Sequence, residues 1–136
     1  MAQQEPWHPT FSQGPKRPQV TRYDRLVRDR IPDMIESMGN IALCRELDDE
    51  SFAQALLATV MRASQQFAES ESLETMADML DAVDAWLEVK GLSMEEVEHA
   101  REERRKRCGG FDRRRFLEVV ADGDAGDVWT AHGAHC

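Results

Sequence analysis

The stretch RASQQFAESESLETMADMLDAVD, residues 62–84, decides the fold. It reads as the end of one helix, a short polar turn at ESES (69–72), and the first half of the next. Upstream, Phe52, Leu56, Val60, Ala63 and Phe67 recur every three or four residues, the spacing of one helix face. That helix is capped by Asp48, carries Asp49 and Glu50 in its first turn, and runs to about residue 68. Downstream, Ser72 caps a helix whose buried face is assigned to Leu73, Met76, Leu80, Val83 and Leu87. Lys90-Gly91 ends it.

Two shorter elements flank this pair. YDRLVRDRIPDMIESMGN (23–40) places Pro32 in the first turn of a helix and stops it at Gly39-Asn40. Ser93-Met94-Glu95-Glu96 is a capping box, so a further helix runs from 94 to about 107 and stops at Gly109-Gly110. Its apolar face is thin (Met94, Val97, Ala100), which assigns it to the surface. IALCREL (41–47) is a short strand or an extended link, and RRRFLEVV (113–120) a short strand able to pair with it. The fold class expected is all-α, an antiparallel four-helix bundle with room for a small two-stranded ribbon. So short a bundle often completes its core by dimerising, so a homodimer is expected. Residues 1–21, with four of the five prolines, form an extended or disordered arm in which Trp7 and His8 point to docking. Residues 22–120 form the helical domain, and the Gly- and Ala-rich tail, 121–136, is loose.

A chain of 136 residues fits one domain, and its composition is that of a soluble globular protein. No apolar run is long enough to span a membrane, and MAQQEPWHPT lacks the apolar core of a signal peptide. Three widely spaced cysteines without metal-ligand spacing suggest a reduced, cytoplasmic protein. The net charge of −9 is uneven. Residues 46–99 hold 14 acids and 2 bases, whereas 16–30 hold 6 bases and 2 acids, and 101–115 hold 8 bases and 3 acids. An acidic middle between basic flanks suits internal pairing, or an anionic ligand gripped by the flanks. Overall acidity without aromatic interleaving argues against nucleic-acid binding.

The candidate chemistry lies on the second long helix. Asp78, Asp81 and Asp84 stand three residues apart and share one stripe. Gln65 and Gln66 lie on the preceding helix. Arg25, Arg28 and Arg30 crowd the entry to the first helix, where they grip a phosphate or carboxylate, or pair with the acidic middle. Arg107, Gly109 and Gly110 form a basic, glycine-rich turn whose amides can approach an anion, or whose glycines simply stop a helix.

YDRLVRDRIPDMIES, LDDESFAQAL, SLETMADMLDAVDAWLEVKGLSMEEV and KRCGGFDRRRFLE, in collinear order over residues 22–120, together resemble the MazG-like all-α nucleoside triphosphate pyrophosphohydrolases. The branch most resembled is the phosphoribosyl-ATP pyrophosphohydrolase-like one. The resemblance implies a dimerising helical bundle that cleaves a nucleotide between its α- and β-phosphates with Mg²⁺. It implies a Glu-x-x-Glu pair on one helix and a Glu-x-x-Asp pair on the next, because carboxylates three apart converge and Mg²⁺ demands anionic oxygens. This sequence carries Ala63 and Gln66 at the first pair, and Thr75 and Asp78 at the second. Residues 51–68 contain no Asp or Glu, so no shift of register restores the first pair. No dedicated metal or other cofactor is therefore expected, with at most one weak Mg²⁺ left at the aspartates.

The function expected is metal-independent chemistry (cyclisation, isomerisation or dehydration) on a small metabolite in the bundle pocket. Asp78, Asp81, Asp84 and Gln66 would be catalytic there, and Arg25, Arg28, Gln65, Arg107, Gly109 and Gly110 would bind a small, phosphorylated ligand. The alternatives are a non-catalytic nucleotide or anion binder and a residual Mg²⁺-dependent pyrophosphohydrolase.

Overall fold

A computed structural model describes residues 19–123; the expectations for Trp7, His8 and the tail beyond 123 lie outside the described residues. Four helices follow one another: α1 (Ile31–Ser37), α2 (Asp49–Ser70), α3 (Leu73–Lys90) and α4 (Met94–Cys108). The chain is all-α, and no strand occurs among the described residues.

Local chemistry sets each boundary. Pro32 sits in the first turn of α1, where a missing N–H costs nothing. Gly39, at φ +86°, ends that helix: its N–H donates to the Glu36 carbonyl at 2.9 Å and the Asn40 N–H to Ile35 at 3.3 Å. The same paired closure recurs at Gly91, φ +69°, with Gly91 bonded to Glu88 and Leu92 to Leu87. Both positions need a residue that tolerates left-handed backbone. At the start of α2 the Asp48 carboxylate accepts from the Ser51 N–H at 2.8 Å. That bond, reinforced by the Ser51 side chain, holds the Asp48 pKa below the ordinary carboxylate value. Ser93 and Glu96 close a capping box on α4.

Between α2 and α3 lie only Glu71 and Ser72, which forces the two helices to run antiparallel. Glu71 takes left-handed backbone (φ +52°) and donates its N–H to the Phe67 carbonyl at 2.7 Å, while Ser72 accepts from the Thr75 N–H. The α2–α3 hairpin is the extensive helix–helix interface among the described residues. Its buried residues are Ala53, Leu56 and Ala63 from α2 and Ala82 and Leu87 from α3. Three of the five are alanines, so the helices meet over a thin core. Phe52, Val60, Phe67, Met76 and Val83 are half-buried along it.

Two expectations are corrected here. Leu73, assigned to the core, is 79% exposed, and Leu80 is exposed as well, because the hairpin covers only one side of α3. The ribbon does not form: residues 41–47 and 113–120 are irregular, with Ile41, Leu43, Phe116 and Val119 exposed. Two short isolated strands do not stabilise each other in water without a packed face beneath them. α4 buries no residue, in keeping with its thin apolar face, and is knitted by the exposed pairs Arg101–Glu98, Lys106–Glu102 and Lys106–Glu103. Cys44 is an exposed free thiol.

Leu56→Ala is expected to cost about 2–4 kcal/mol in urea denaturation, because a buried leucine loses both transfer energy and packing. Asp48→Asn keeps a capping acceptor but loses the charge. The depressed carboxylate stabilises the fold above its unfolded pKa and loses that contribution as pH falls through its lower folded value. Denaturation curves at neutral and strongly acidic pH should therefore show a deficit for Asp48→Asn at neutral pH that shrinks in acid.

Candidate functional site

The segment that precedes α1 lies against α3 through one side chain. Arg28 Nη2 donates to Asp78 Oδ1 at 2.6 Å and to Asp81 Oδ2 at 2.8 Å, and Arg28 Nε donates to the same Asp78 oxygen at 3.1 Å. A helical step of three residues puts both carboxylates under one guanidinium, whose planar fork spans them. The hydrogen bonds to Asp78 first, and then to Asp81, raise the Arg28 pKa above its ordinary value. Arg28 is thus a permanent cation at every workable pH. Its other terminal nitrogen, Nη1, makes no hydrogen bond among the described residues.

The three groups are not sealed from water. The Arg28, Asp78 and Asp81 side chains are 58%, 44% and 59% exposed. Asp84, one helical step further, is exposed and has no ion pair among the described residues. Desolvation, which a carboxylate needs to become an effective general acid, is therefore weak around all three. Arg28 thus engages the acidic middle, and Arg25 lies over the Tyr23 ring, 5.3 Å from its centroid.

The other expected residues are scattered. Gln65 and Gln66 are exposed on α2 and make no side-chain hydrogen bond among the described residues. Arg107, Gly109 and Gly110 are exposed at the end of α4, which does not pack extensively on the hairpin. Space around both glycines is open to a Cβ, so neither marks a close approach to another part of the chain. Gly109 is nonetheless conformationally required, at φ +82°. The residues expected to share a bundle pocket thus lie on different elements. A concavity of about 730 Å³ lies along α4, walled by Glu95, Glu98, His99, Arg101, Glu102 and Arg105 among others.

The positions matched to the magnesium ligands can be tested directly. Ala63 is buried and has no donor atom. Thr75 is spent on the turn: its hydroxyl contacts Ser72 Oγ at 2.9 Å and donates to the Ser72 carbonyl at 3.0 Å. Asp78 is clamped by Arg28. Among the described residues no three His, Cys, Asp or Glu side chains converge as a metal site. The residues present do not fit a magnesium ion.

No family model, curated protein or solved structure matches the chain. The likeness to the MazG-like group therefore rests on the quoted residues alone. Pairing of Arg28 with Asp78 was one of two options readable from the charge pattern, whereas engagement of Asp81 by the same nitrogen needed the helix geometry. No sequence signal distinguished Asp84 as the carboxylate left out.

Arg28→Lys is expected to behave like Arg28→Ala in thermal denaturation, since a single ammonium cannot reproduce the fork across two carboxylates. Both variants should melt below the native chain, and the gap should narrow as salt rises.

Proposed function

We propose that this chain is a degenerate MazG-like protein, dimeric and cytoplasmic, that binds a phosphorylated small molecule without hydrolysing it. One observation carries the reading. The guanidinium of Arg28 occupies the two carboxylates, Asp78 and Asp81, that in a MazG-like enzyme would face a cation. A fixed internal cation does for those charges what Mg²⁺ would do, but it supplies no open coordination position for an attacking water. It does keep Nη1 and much of its surface available to an anion, so a phosphate oxygen has a donor to meet.

Metal-independent catalysis by Asp78, Asp81 or Asp84 is the weaker alternative. Such chemistry needs a carboxylic acid matched to neutral pH, which burial would provide. Two of these carboxylates accept hydrogen bonds from Arg28 and all three stand partly or largely in water, so none has the burial that such a role needs. A dimer is favoured by the number of large apolar side chains left in water, among them Val27, Met34, Leu57, Met61 and Leu80.

Thermal melting against a panel of nucleoside triphosphates, with and without Mg²⁺, coupled to an assay for released pyrophosphate, tests the reading. The expected outcome is stabilisation by at least one nucleotide that is indifferent to EDTA, no pyrophosphate, and loss of the stabilisation in Arg28→Ala. Mg²⁺-dependent release of pyrophosphate would overturn it.

A further inference from the structure

Two surfaces of this chain are left bare, and their chemistries are opposite. The first is the outer stripe of α3. Leu73, Ala77, Leu80 and Asp84 follow one another at steps of three or four residues and are all exposed. Glu74 and Glu88 flank them, and residues 73–90 hold five acids and one base. Asp84 has no ion pair among the described residues, although Arg28 neutralises its two neighbours.

The second surface begins where α4 ends. After Gly109 the chain leaves the helix, turns once through the Arg114 N–H to Phe111 carbonyl bond at 3.0 Å, and continues without secondary structure to residue 123. It presents Phe111 and Phe116, 98% and 89% exposed, with Arg113, Arg114 and Arg115 between them. None of these three arginines has an ion pair among the described residues. Residues 104–117 hold seven bases and one acid.

We propose that the segment 111–117 docks on the α3 stripe of a second copy of this chain. Phe111 and Phe116 cover Leu73 and Leu80, and an arginine of the second copy completes at Asp84 the neutralisation that Arg28 provides at Asp78 and Asp81. The charges select this occupant: a basic segment with two bare aromatics finds an acidic stripe with two bare leucines. A two-fold arrangement covers both surfaces on both copies at once, which docking on an unrelated acidic protein would not do. The acidic site is then incomplete in one chain and finished by its neighbour. The proposal rests on the dimer named above and adds which surfaces make it.

Analytical ultracentrifugation of the full chain and of charge-reversal variants tests it. One variant carries Arg113→Glu, Arg114→Glu and Arg115→Glu; another carries Glu74→Lys, Asp84→Lys and Glu88→Lys; a third carries all six. The native chain is expected to be a dimer, each single-surface reversal to raise its dissociation constant at least about tenfold, and the six-fold variant to recover most of that loss. Phe111→Ser with Phe116→Ser, which alters no helix, should weaken the dimer as the arginine reversal does, with the circular dichroism unchanged. A monomeric native chain would overturn both the docking and the dimer. A dimer that is indifferent to the reversals and the serine substitutions, or reversals that do not compensate each other, would overturn the docking and leave the dimer standing.

Discussion

The antiparallel seam between α2 and α3 is the constraint on which everything else hangs. Two residues, Glu71 and Ser72, connect helices of 22 and 18 residues, so the pair can only fold back on itself. Alanines at 53, 63 and 82 let the backbones approach, with Leu56 and Leu87 supplying the larger apolar contacts. Capping at Ser72 then consumes the Thr75 side chain. Thr75 is thus part of the turn chemistry, with its hydroxyl already engaged.

Arg28 links the hairpin to the segment before α1. Its ion pairs are half in water, so their contribution is modest. Their consequence for chemistry is larger than their consequence for stability. With the guanidinium across them, Asp78 and Asp81 present fewer open lone pairs to any second cation.

Much of this was readable from residues. Proline at 32, glycines at 39 and 91, Asp48, Ser72 and the Ser93–Glu96 box are local signals, each acting within one helical turn, and the helix ends follow them closely. The failures are non-local. Leu73 and Leu80 carry the right spacing for a core, but spacing identifies a face and not what covers it. The segments 41–47 and 113–120 have apolar character, but pairing them requires a supporting layer that no local signal reports. For the site, the charge pattern offered Arg28 either an external anion or the internal acids. Only the three-dimensional placement shows Nη2 bridging Asp78 and Asp81 with Nη1 left over.

The absence of any buried residue from α4 also divides the molecule by timescale. A 15-residue helix without tertiary support is near the lower limit at which a helix persists in water, at roughly 12–15 residues. Its capping box and exposed ion pairs slow fraying but do not couple it to the seam. Its stability draws mainly on local terms, so its amides are expected to exchange with solvent sooner than those of the α2–α3 seam. The chain carries an adjustable part on a fixed one.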